Sequence, residues 1–223
     1  MRRMHSATDP GDAAPAGGGG TDGADLGERV LALIGSRHSV APRRLTAPGP
    51  DERQLRQLVE AAASAPDHRG LRPWRLIRID DHQRPALADL FEAIARDRLP
   101  APDAADLERS RAKAMRAPTL LLAVLRSVPA DPEVPSTERA VALGAALMAL
   151  LLAAHVLGFG AMLTSGRSVR TERFARAFAL AADEQAVCFV SIGQARDRRP
   201  KPRRPVDDCL ADWSGPPPDR APP

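Results

Sequence analysis

The sequence contains no tyrosine, and aromatic residues make up only 3% of it. That shortage leaves little material for the stacked-ring platforms on which single-stranded RNA is read. Cysteine is equally scarce: Cys188 sits inside an apolar run and Cys209 stands far from it, so no disulfide framework is expected and a reducing compartment, the cytoplasm, is the expected location. Lysine occurs only as Lys113 and Lys201, and the formal charge of +4 therefore rests almost entirely on arginine. With Ala and Pro also abundant, this bias reads as composition rather than as a nucleic-acid footprint, and neither a nucleic-acid nor a membrane partner is expected.

Several chemical patterns are missing too. No phosphate loop of the Gly-x4-Gly-Lys-Ser type occurs, and Gly158-Phe159-Gly160 lacks the third glycine and the preceding strand of a dinucleotide fingerprint. The histidines His5, His38, His68, His82 and His155 share no helical face, so a metal site has no starting point. Leu163 stands where a hydrolase elbow around Ser165 would need glycine, and no catalytic nucleophile is assigned.

What is present divides into tails and a foldable middle. Residues 1–24, rich in Gly, Ala, Asp and Pro, cannot bury enough surface to offset their ordering entropy and are expected to be a disordered tail. Residues 214–223 are Pro-rich and expected to be equally loose. One domain is expected over residues 25–213, ending in an extended arm whose sparse anchors Val206, Leu210 and Trp213 need another surface, most simply a second copy.

Within the domain, apolar spacing predicts helices over 25–36, from Asp51 to Pro66, around Leu87 to Ile94 and around 103–116. Strands are predicted at 74–79, at 119–125, at 161–164 and at 187–192, the last closed by Gly193. Residues 140–163 carry no charge and are long enough to span a bilayer, but their Ala and Gly content favours a buried core helix. Its uniform apolarity predicts a face covered by a second protomer, with Ala146 and Leu150 as interface positions. Thr171 is expected to cap a helix carrying Phe174, Ala177, Phe178 and Ala181.

Three loops at element ends collect polar residues: Arg37-His38-Ser39, the turn Ala65-Pro66-Asp67-His68 with Pro73-Trp74-Arg75, and Leu163-Thr164-Ser165-Gly166. Guanidinium groups with short hydroxyls suit a phosphate, and glycine allows backbone N–H groups to approach a flat ring.

These loops, their order, the Ala-rich helix ending Gly158-Phe159-Gly160 and the final strand with Gly193 resemble the nitroreductase family of FMN-dependent oxidoreductases, particularly its minimal, short-chained bacterial subgroup. The resemblance implies an α+β fold, a central mostly antiparallel sheet surrounded by helices, in an obligate homodimer with FMN in two interface clefts. It also implies hydride transfer from NAD(P)H through the flavin to an electron-poor small molecule such as a nitroaromatic or quinone, with no side chain required as acid or base.

Carried over residue by residue, Arg37, His38 and Ser39 would hold the FMN phosphate and ribityl chain. Ser64 and His68 would lie on the flavin side of the turn, and Leu163, Thr164, Ser165 and Gly166 would pass the isoalloxazine. Small residues around Gly160 would keep the ring face open, and Arg196, Arg198, Lys201 or Arg203 could add to the phosphate site. Residues 154–159 align with a nicotinamide-binding stretch of relatives. At Ser64 and at Leu163-Thr164 the chain departs from the subgroup, which has arginine at the first and a Trp-Arg pair at the second. Those departures support a second reading, a catalytically weak flavin-binding or regulatory dimer of the same fold.

Overall fold

The computed structural model describes residues 20–126, 133–195, 202 and 205–215. Compact packing divides the chain after Arg37 into two units. The first contributes one helix, α1 (Gly20–Ser36), with Leu26, Val30, Leu31 and Ile34 exposed. It begins upstream of the predicted start, so residues 20–24 are helical rather than part of a tail. Adding a turn to an existing helix costs far less than nucleating one.

The second unit contains β1 (Leu45–Thr46), α2 (Glu52–Ala63), β2 (Trp74–Arg78), α3 (Arg84–Arg98), α4 (Ala104–Arg111), β3 (Thr119–Arg126), α5 (Ser136–Val156), β4 (Gly160–Thr164), α6 (Glu172–Ala177) and β5 (Glu184–Ala195). Local chemistry sets many of the boundaries. Asp51 and Asp103 build capping boxes with Gln54 and Asp106, and Thr171 Oγ1 accepts the Phe174 N–H.

Two predicted helices prove shorter. The α4 helix stops at Arg111, after which Lys113, Ala114 and Met115 donate to carbonyls three residues back in successive turns, and Ala117, ahead of Pro118, adopts φ +68°. The α6 helix stops at Ala177, followed by Ala179 at φ +46°, so Ala181 lies beyond it.

All strand pairings are antiparallel. Central β5 pairs with β1, β3 and β4, and β3 pairs with β2. Two-residue β1 lies in a stretch that its prolines mark as loop. Gly193 does not close β5 but sits inside it, opposite Gly160. A Cβ there would come within 2.6 Å of the Pro118 ring and 3.0 Å of the Thr46 carbonyl oxygen, so only glycine fits.

Helices cover both sheet faces, as the uninterrupted apolar run of β3 requires. Leu121, Ala123 and Leu125 pack with α2 and α5, whereas Leu120, Leu122 and Val124 pack with α3 and α6. A bulge opposite Ala123 and Val124 turns both Val187 and Cys188 toward the α2/α5 face and restores the alternation beyond it.

Among the described residues α5 is the one helix long and apolar enough to cross a bilayer. Its packing accounts for that apolarity: Leu143, Ala146, Leu147, Leu150, Leu151 and Ala154 are buried in the α2/α5 core. Ala146 and Leu150 are therefore core residues, 1% and 0% exposed, and not interface positions. The opposite stripe, Val141, Met148 and Val156, is exposed.

In the C-terminal arm Val206, Leu210 and Trp213 are exposed. The expected tail residues 1–19 and 216–223 lie outside the described residues, as do Arg196, Arg198, Lys201 and Arg203.

Candidate functional site

The end of β4 is the best-organised polar locus in the larger unit. After α5, Gly158 adopts φ +84° and the Phe159 N–H returns to the Ala154 carbonyl, which reverses the chain into β4. The Val40 N–H donates to the Ala161 carbonyl at 3.1 Å, and this bond sets His38 and Ser39 beside the start of β4. His38 is half-buried and Ser39 exposed.

Gly160 does not serve an open ring face. A Cβ at this position would lie 2.9 Å from both Ala195 Cβ and Leu45 Cδ2, so its missing side chain lets β1, β4 and β5 close together. Successive β4 side chains point to opposite faces. Leu163 packs against the α2/α5 core, whereas Thr164 turns to the other side.

On that other side lies a cavity of about 330 Å³. Its apolar wall is Phe91, Leu120, Val169 and Phe189, and its hydroxyls come from Thr164, Ser165, Ser168 and Ser191. Ser191 is 2% exposed, a buried serine whose place in the sheet is explained by the cavity it lines.

Four cations border the same space: Arg98, Lys113, Arg116 and Arg167. Burial, and then repulsion from Arg116 and Arg98, pushes the Lys113 ammonium below the usual lysine range. Among the described residues none of Arg98, Lys113 and Arg116 forms an ion pair.

The structure does not bring all the expected ligands to this cavity. Thr164, Ser165 and Gly166 line it, but Ser64, His68 and Leu163 do not. Ser64 Oγ donates to the Ala61 carbonyl at 2.8 Å and finishes α2. His68 Nδ1 lies 2.7 Å from Glu138 Oε2 at the start of α5, which ties the turn to that helix. Left-handed Arg69 and Arg72 tighten the turn, and Asp67 accepts the Arg72 N–H at 3.1 Å. Arg37 belongs to the smaller unit and adjoins His38 in the chain.

The cations of α3 and of the segment after α4 escape a reading of the sequence because 111–116 has the look of one polar helix. The available signal is weak: Lys113 and Arg116 have no acidic residue between them.

An all-antiparallel sheet between two helical layers, with a cavity where β4 ends, defines an α+β protein. A family model described as "Nitroreductase family" matches residues 34–194. A Haemophilus influenzae protein named "Putative NAD(P)H nitroreductase" is 30% identical over 180 residues, which cover 80% of this chain and 95% of that one.

Among solved structures, a nitroreductase-like family protein from Bacillus cereus superposes with a TM-score of 0.70 at 20% identity, covering 83% of this chain and 96% of that one. A "putative nitroreductase in complex with FMN" from Desulfovibrio desulfuricans superposes with a TM-score of 0.63 at 26% identity, covering 84% and 98%. The chain belongs to the nitroreductase family, an oxidoreductase class.

Proposed function

We propose that the protein is an FMN-dependent NAD(P)H oxidoreductase that reduces an electron-poor small molecule such as a nitroaromatic or a quinone. The observation that carries this reading is the exposed Ser165-Gly166 backbone at the end of β4, next to a cavity with an apolar wall and a basic rim. Such a donor set suits FMN. His38 and Ser39 supply ring-nitrogen and hydroxyl groups for its phosphate and ribityl chain, and Thr164, Ser165 and Gly166 supply backbone and hydroxyl groups for the polar edge of its ring.

When bound, FMN supplies the hydride chemistry that no side chain provides. The chain's own part is to bind and orient. Ser39 is held in place by the Val40 to Ala161 bond, and no titratable side chain of the β4 loop is required to move a proton.

The active form is a homodimer in this reading. Val141, Met148 and Val156 leave one side of α5 apolar and exposed, and covering that stripe with a second copy offsets the entropic cost of association. The exposed arm anchors Leu210 and Trp213 would dock on the partner.

Incubation with FMN followed by gel filtration tests the reading. The protein should retain the flavin's blue absorption band, and anaerobic NADH or NADPH should bleach it within seconds. Failure to retain FMN refutes the proposal. Retention without bleaching transfers the case to the second reading, a flavin-binding regulatory dimer, which the departures at Ser64, Leu163 and Thr164 favour.

A further inference from the structure

We propose that Arg98, Lys113 and Arg116 form an anion subsite that receives the acidic group of an aromatic substrate. Two adjoining cavities share these three side chains and Ser168, so the cations face common space from α3 and from the turns that follow α4. Four acids of the same two helices are paired with other arginines. Asp106 is paired with Arg109, Asp89 and Glu92 with Arg111, and Asp97 with Arg173. Among the described residues Arg98, Lys113 and Arg116 thus form no ion pair, and Asp106, the one acid bordering the second cavity, is taken by Arg109; an anionic ligand relieves this crowding of like charge.

The basic turn is also held in shape before any ligand arrives. Arg84, 3% exposed, donates from Nη1 to the Ala114 carbonyl at 2.8 Å and places Nη2 3.4 Å from the Ala117 carbonyl oxygen. It braces the segment from below while Ala117 is kept at φ +68°, a conformation that costs energy outside glycine and is often retained at binding sites. Beside the cations, Phe91 and Phe189 meet edge to face with centroids 5.9 Å apart and wall the cavity with Leu120. An apolar floor with a basic rim matches a ring that carries a carboxylate, and about 330 Å³ accommodates one or two rings.

The identification of that ligand as the electron acceptor rests on the flavin reading, whereas anion binding itself does not. Calorimetry on the FMN-loaded protein without nicotinamide separates the two, using benzoate and its neutral counterpart benzamide as probes. Benzoate should bind more tightly than benzamide, and Lys113→Gln and Arg116→Gln should each weaken benzoate roughly tenfold, while Arg116→Lys retains most of its affinity. In turnover, the kcat/KM ratio of 4-nitrobenzoate to 4-nitrobenzamide should fall by a similar factor in the two Gln variants.

Equal affinity for benzoate and benzamide, or Gln variants that bind benzoate like the parent while melting at the same temperature, would overturn the proposal. Displacement of benzoate by ADP at comparable concentration would assign the cations to a nucleotide phosphate and overturn the substrate assignment. Benzoate binding to a protein that takes up no FMN would refute the flavin reading alone.

Discussion

Glu184 is the clearest case of a single side chain whose chemistry reaches the stability of the whole fold. Its carboxylate is 6% exposed at the start of β5 and accepts from Arg75 Nε at 2.6 Å, from Arg75 Nη2 at 2.8 Å and from the Ala181 N–H at 3.1 Å. The Arg75 hydrogen bonds, assisted by Ala181 and Arg126, hold it at about 2 against an ordinary 4.5. A depressed folded-state value contributes stability that is complete above about pH 4.5 and is lost as the pH falls toward 2. With Arg75 partly in water, the contribution is on the order of 2 kcal/mol. Urea midpoints should therefore drop across this acid window, and Glu184→Gln should lower the midpoint at neutral pH while flattening the acid-side slope. A parent-like slope in the variant would move the effect to another carboxylate.

Cys188 shows the opposite kind of shift. Burial against the α2/α5 core pushes its thiol up to about 11, so the nucleophilic thiolate is scarce at neutral pH. In a Cys209→Ser background the native protein should not react with a disulfide reagent until urea unfolds it. Rapid native labelling would contradict the packing described for β5.

At the scale of elements, the junction where β1, β3 and β4 meet β5 depends on two missing side chains. Gly160 and Gly193 face each other across β4 and β5, and the space a Cβ would need is taken by Leu45 and Ala195 at one and by Pro118 and Thr46 at the other. Overpacking against a proline ring and a backbone oxygen is not relieved by a rotamer change. Gly193→Ala should cost roughly 1–3 kcal/mol, seen as a lower thermal midpoint. It should also disturb the Pro118 end of the turn that carries Lys113 and Arg116. An unchanged midpoint would mean that the β1–β3 junction has slack.

At the scale of the molecule, α5 has two faces with different duties. Its inner face completes the core, and its outer stripe through Met148 is the surface assigned above to a second copy. Met148→Glu should leave a folded monomer by light scattering and weaken FMN retention, because the proposed cleft is completed across the interface. Leu150→Glu places a charge in the core and should instead abolish folding. A dimeric, flavin-loaded Met148→Glu protein would remove α5 from the interface.

The sequence by itself determined the elements whose signals are local or continuous. An apolar run as long as α5 or as unbroken as β3 has few other fates, and the caps at Asp51, Asp103 and Thr171 act within a few residues. The β4 loop was legible for the same reason, since its glycines and hydroxyls are contiguous.

Tertiary structure decided what depends on register and on facing. A helix apolar all round does not say which side turns inward, so only packing against α2 and the sheet separates Ala146 and Leu150 from Met148. The basic subsite is more remote still. Arg98, Lys113, Arg116 and Ser191 come from distant parts of the chain and share one cavity because α3 packs on the sheet face that Phe189 and Ser191 present. No spacing in the sequence encodes that meeting.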